Sequence, residues 1–221
     1  MRTAIFLLSF IFATINHASA QCPCPKMSLE HYGNKPVRTF QLTPGVSLAV
    51  CGGMQQKDGR DEYTEFILYN CGQRYSIDSW DGTQTCTITQ SRDTLIVQEL
   101  MPVANGKGMN IQWREFYVIK YFYTGDQLQR KPYYRKDMQL YTTDQVKQAI
   151  AGYRQLHKPV TNYDACLLAL HRLFWAYVSG SREAGTLLEQ AEEKLGPFDG
   201  AVAEEFEDLI AVYEHYKDIN R

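Results

Sequence analysis

The hydrophobic pattern changes its period once along the chain. From Val37 to Tyr123, apolar residues recur at roughly every second position, with turn-forming residues between the runs. The alternation predicts strands over Val37–Leu42, Ser47–Cys51, Tyr63–Cys71, Gln84–Gln90, Thr94–Leu100 and Ile111–Tyr123. The interruptions are Gly52-Gly53, Asp58-Gly59, Asp81-Gly82, Ser91-Arg92-Asp93 and Asn105-Gly106-Lys107-Gly108. These residues accept positive φ or preset a turn, which short antiparallel connections require. The expectation is an antiparallel meander of five or six strands. In the last strand, unbroken alternation puts Ile111, Trp113, Tyr117, Ile119 and Tyr121 on one face, with Glu115 as an intruder. Phe116, Val118 and Phe122 fall on the other. Two apolar faces imply that something packs on the sheet's second side.

From Thr142 the period becomes about 3.6 residues. Thr142-Thr143-Asp144-Gln145 has the form of a capping box, and Val146, Ile150, Tyr153 and Leu156 form the stripe behind it. Thr161-Asn162 can cap a second helix, Tyr163 to Ser179, which is apolar almost all round and should therefore be the buried centre of the helical group. Ser181 starts a third helix that runs to Leu195, and a fourth spans Ala201 to Tyr216. The fold class is α+β: an N-terminal antiparallel sheet followed by a four-helix C-terminal region. Residues 126–141, rich in Tyr, Lys and Arg, read as a linker between the β region at 37–125 and the helical region at 142–221.

Ala184, Leu188 and Ala191, followed by Pro197, resemble the second helix of a tetratricopeptide repeat. Arg172 stands where that family places a small residue, and no second copy follows at a 34-residue period. The resemblance therefore implies a helical hairpin that packs like such a repeat, without membership.

The N-terminus indicates the compartment. Arg2, an apolar run from Ala4 to Ile15 and the Ala18-Ser19-Ala20 box have the form of an export signal over residues 1–20. The run of about 12 residues is short of the roughly 20 that span a bilayer, and no later stretch is apolar enough. The expected protein is periplasmic or extracellular, starting at Gln21 with an extended segment over 21–36. Export makes Cys22, Cys24, Cys51, Cys71, Cys86 and Cys166 disulfide candidates. Cys22 and Cys24 are too close to pair with each other easily and should reach different partners. Among the β-region cysteines, Cys71–Cys86 is the favoured bridge. Cys166 reads as readily as a free core thiol.

The chemistry is sparse. No zinc-protease, nucleophile-elbow or phosphate-loop motif is present, and no cofactor or metal is expected. Cys166 and His171 sit five positions apart on one helix, so they diverge by about 140° and cannot pair directly as nucleophile and base. Charge is more informative. The net charge of -2 conceals seven basic against two acidic residues from Lys107 to Lys136, and nine acidic against two basic from Arg182 to Asp208. The plain reading is two solvated faces, or faces that meet between sheet and helices. The sharper reading makes the acidic helix, with Glu204, Glu205 and Asp208, a surface for a basic partner. Tyr133, Tyr134 and Arg135 are the second candidate binding group, suited by stacking and hydroxyl bonding to a glycan or peptidoglycan. Export argues against nucleic acid. The functional expectation is an exported, non-enzymatic binding or adaptor protein of the bacterial envelope. The alternatives are an inhibitor or immunity-type protein that binds a basic enzyme, and a hydrolase of envelope polymers.

Overall fold

A computed structural model describes residues 22–25, 33–104, 111–136 and 138–219. The expected export signal over residues 1–20 lies outside them. Seven antiparallel strands follow one another in order: β1 (Arg38–Thr43), β2 (Val46–Lys57), β3 (Arg60–Asn70), β4 (Tyr75–Ser91), β5 (Thr94–Ala104), β6 (Ile111–Thr124) and β7 (Gln127–Tyr134). Five helices complete the chain: α1 (Thr143–Arg154), α2 (Tyr163–Val178), α3 (Arg182–Glu189), α4 (Ala191–Leu195) and α5 (Gly200–Ile219).

The α+β class and the antiparallel meander hold, with one strand more than expected. β7 lies in the segment read as a linker. It is an edge strand, which tolerates Pro132 because half of its backbone donors need no ladder partner. Two expected breaks are also bends inside strands. Gly52 lies in β2, where a Cβ would stand 2.2 Å from the Glu65 carbonyl oxygen, so β2 and β3 approach too closely there for any side chain. Gly82, at φ 97°, lies in the 17-residue β4, where the pairing with β3 slips between Tyr63 and Glu65. The third expected helix divides at Gln190 into α3 and α4.

The bend in β4 curls the sheet. Its first half pairs with β3 and its second half with β5. Residues at positions 78 and 80 thereby face β5–β7 across a concave interior. Phe66, Trp80, Leu95, Val97, Ile119 and Tyr121 fill that interior, and Phe66 stacks on Trp80 at 4.3 Å. A second core lies between the helices and the far ends of β5–β7. Phe116 is its hub, in ring contact with Tyr134, Phe174, Trp175 and Tyr216. α2 is the buried central helix, as its all-round apolar sequence requires. Its Trp175 donates to the Pro102 carbonyl at 3.1 Å and fixes the helices to β5. The Thr142 capping box forms as expected.

The disulfides are Cys22–Cys71 and Cys24–Cys51. Cys22 and Cys24 do reach different partners, but Cys71 does not pair with Cys86. Cys71 lies just beyond the end of β3, within reach of the N-terminal segment, whereas Cys86 points into the concave interior and stays reduced beside its packed neighbours. Cys166 is a free, buried thiol of the helical core. The bridges tie the N-terminal segment to the outside of β2–β3, beside Ala49 and Tyr69. Closing loops with separations of 49 and 27 residues, each contributes about 2–4 kcal/mol. The bridges, and the lack of a membrane-spanning helix among the described residues, are consistent with an exported protein.

Candidate functional site

A bulge in β6 decides which residues share a surface. Glu115 pairs with Leu100 and Tyr117 with Glu99, so Phe116 is the extra residue and the alternation reverses there. Ile111, Trp113 and Glu115 therefore belong to the outer face. Tyr117, Ile119 and Tyr121 belong to the interior. The single face expected from unbroken alternation is corrected accordingly, and Glu115 is not an intruder but a member of a polar outer row.

That outer face continues over neighbouring strands. Thr94, Ile96 and Gln98 on β5 lie beside Val118, Lys120 and Phe122 on β6, then Lys131 and Tyr133 on β7 and Arg135 just after it. Together they line two adjoining shallow grooves of about 480 and 560 Å³. The helices pack against the hairpin end of this sheet section, through Val103, Phe116 and Tyr134. On this face Lys131 is exposed and Lys120, Tyr133 and Arg135 are partly exposed, while Leu100 and Val118 beside them are buried, so the second face is only partly open.

The row combines cations, an acceptor and aromatic rings. Lys120 and Lys131 are directly opposed across β6 and β7, and neither has an ion-pair partner among the described residues. Like charges in this position destabilise a sheet. The Lys120 ammonium sits 5.1 Å from the Tyr133 ring centroid, a cation–π contact that moves it aside from Lys131. Glu115 accepts from the Gln98 amide at 2.5 Å and from the Thr87 hydroxyl at 3.4 Å, and it pairs with Arg135 at 3.5 Å. Further along β6, Trp113 and Ile111 are 46% and 44% exposed, unusual for such large apolar side chains.

The structure separates the candidate residues read from sequence. Tyr133 and Arg135 belong to the outer row. Tyr134 borders the second groove, but its ring is buried against Phe116, Tyr117, Tyr216 and His215, and desolvation pushes its hydroxyl pKa well up. Glu204, Glu205 and Asp208 are exposed near the start of α5. The contact of α5 with Tyr134 is at His215 and Tyr216, roughly 11–18 Å away along the axis at 1.5 Å per residue. At that contact the basic segment meets His215 and Tyr216 rather than these three acids.

Of the titratable residues, His215 packs against Tyr117 and Tyr134. His157 is exposed beyond α1, and His171 is half-buried on α2 with its pKa lowered by desolvation. Cys166 is buried in the helical core, where desolvation raises its thiol pKa. No group of His, Cys, Asp and Glu able to hold a metal occurs among the described residues. Sequence reasoning missed Lys120 as a neighbour of Tyr133, and Trp113 and Glu115 as members of the same outer face. The seven-cation segment signalled the lysine, but only the bulge places the other two with it.

No family model, curated protein or solved structure matches this chain.

Proposed function

We propose that the protein is an exported binding protein of the envelope that holds an anionic chain on the outer row of β5–β7. The observation that carries this reading is the opposed pair Lys120 and Lys131, which has no ion-pair partner among the described residues. A sheet gains nothing in stability from two lysines there. A ligand carrying negative charge relieves the repulsion and supplies the missing partners. Arg135, already held by Glu115, and exposed Lys136 extend the cationic groove.

The test is binding of the disulfide-bonded protein to two immobilised polyanions, poly-L-glutamate and polygalacturonate. Retention on at least one of them, weakening as salt rises, is expected. The charge-reversed variant K120E/K131E should bind at least about tenfold more weakly. Failure to bind either polymer, or unchanged binding by the variant, overturns the reading. A second reading is inhibition of a basic enzyme by the exposed acids of α5. It requires that charge reversal at Glu204, Glu205 and Asp208, and not at the lysines, abolishes partner capture.

A further inference from the structure

The row selects among anionic chains, and this step rests on the reading just given. From Trp113 to Lys120 it runs about 23 Å along β6, at roughly 3.3 Å per residue. Chemically it is mixed. Lys120 and Lys131, which have no ion-pair partner among the described residues, offer positive charge at one end. Trp113 offers an exposed indole at the other. Between them lie the Gln98 amide, which lines the groove, and the partly exposed Glu115 carboxylate, which accepts from Gln98 and Thr87 and pairs with Arg135.

Each class of polyanion meets this set differently. A phosphate backbone has acceptors but no hydroxyl donors along its charged edge, so Glu115 in the middle of the row repels it. An acidic peptide would gain most by pairing with a sheet edge. The row lies on the sheet's face, where no backbone donors or acceptors are free, and the nearby edge strand β7 carries Pro132. A carboxylated polysaccharide satisfies every component. Its carboxylates meet the lysines, its hydroxyls donate to Glu115 and accept from Gln98, and the apolar face of a sugar ring stacks on Trp113.

We infer that the outer row of β5–β7 is a subsite for an acidic glycan of the uronic-acid type, with Lys120 and Lys131 reading its carboxylates and Trp113 stacking on a ring.

Binding constants are measured in one buffer for polygalacturonate oligomers, poly-L-glutamate of matched charge, single-stranded oligothymidylate and a neutral glucan. The expected order puts polygalacturonate at least tenfold ahead of every other ligand. Trp113→Ala should remove that advantage and leave poly-L-glutamate binding unchanged. Glu115→Gln should weaken polygalacturonate and strengthen oligothymidylate. Trp113 is exposed, so its loss leaves the fold intact, and retention of both disulfides and the thermal midpoint checks this. Equal affinity for all three anions, with no effect of Trp113→Ala but loss in K120E/K131E, overturns the glycan inference and leaves the anion-binding reading standing. Preference for oligothymidylate also overturns it. Absence of binding to any anion removes both.

Discussion

The two sides of the β5–β7 sheet carry similar residue types in opposite arrangements. In the concave interior each charge has its counterpart. Asp78 accepts from the Tyr121 hydroxyl at 2.6 Å and from Arg130 Nε at 2.7 Å, and Glu99 accepts from the Trp80 indole at 2.9 Å. On the outer row Glu115 is comparably satisfied, but Lys120 and Lys131 confront each other with no carboxylate partner among the described residues. Burial explains the difference. A polar group withdrawn from water needs a partner within the protein, whereas a solvated lysine does not. Pairing inside serves the fold. Unpaired charge outside costs stability and is available to a ligand.

Two of the three tryptophans, Trp80 and Trp113, put the largest number on that contrast. Trp80 is buried, stacks on Phe66 and donates to Glu99. Trp80→Ala leaves a cavity and an unsatisfied carboxylate, and should cost about 3–5 kcal/mol. Trp113 is 46% exposed, and Trp113→Ala should stay within about 0.5 kcal/mol. Urea unfolding of both variants measures the difference. Similar losses from the two would mean that the outer tryptophan is part of the core, and would remove its role as a ligand platform.

A smaller, pH-dependent effect belongs to Glu99 in the interior. Burial raises the Glu99 pKa above its ordinary 4.5, opposed by the Trp80 hydrogen bond, reinforced by Asp78 and opposed again by Arg130. Because the folded value lies above the unfolded one, the contribution of Glu99 is complete below about pH 4.5 and is lost as the pH rises through the folded value. Glu99→Gln keeps an acceptor for Trp80 and has no charge to bury. Its thermal midpoint should exceed that of the parent at neutral pH, and the two should converge below pH 4.5. A gap that persists unchanged at acid pH would show that the effect is packing rather than ionisation.

Local signals in the sequence carried through to the structure where the physics is local. The Thr142 capping box closes within four residues, and the unbroken apolar surface of α2 leaves it no position except the centre. Asp58-Gly59 turns β2 into β3 with both residues at positive φ, as a tight hairpin demands. What alternation could not show depended on a neighbouring strand. Gly52 and Gly82 have the composition of turns but act as bends inside strands, because only the tertiary partner distinguishes the two. β7 was illegible for a related reason: Arg130-Lys131-Pro132 has poor strand propensity and is tolerated at an edge. The bulge at Phe116 had no sequence marker, so the outer row was only half readable. Tyr133 and Arg135 could be nominated from composition, whereas bringing Trp113 and Glu115 beside them required the register of β5. The N-terminal bridges likewise depend on where residues 22–25 lie, which the cysteine spacing left open.

The smallest expected effect tests why the lysines are there. Lys131→Gln removes one member of the opposed pair and leaves the Lys120–Tyr133 contact in place. Relief of a directly opposed like charge should stabilise the sheet by about 0.2–1 kcal/mol at low salt. The gain should fade toward 1 M salt, where the Debye length is about 3 Å. Lys131 also lies beside Pro132 on an edge strand, a combination that blocks strand addition by another molecule. The two roles predict different companions to the same stabilisation. If Lys131 serves the groove, the variant is more stable, remains monomeric and binds polyanion more weakly. If it guards the edge, the variant is more stable, binds as before and self-associates in sedimentation. The first outcome ties the charge imbalance of the outer row to a ligand. The second reduces it to protection against edge pairing, leaving Lys120 alone to carry the charge of the site.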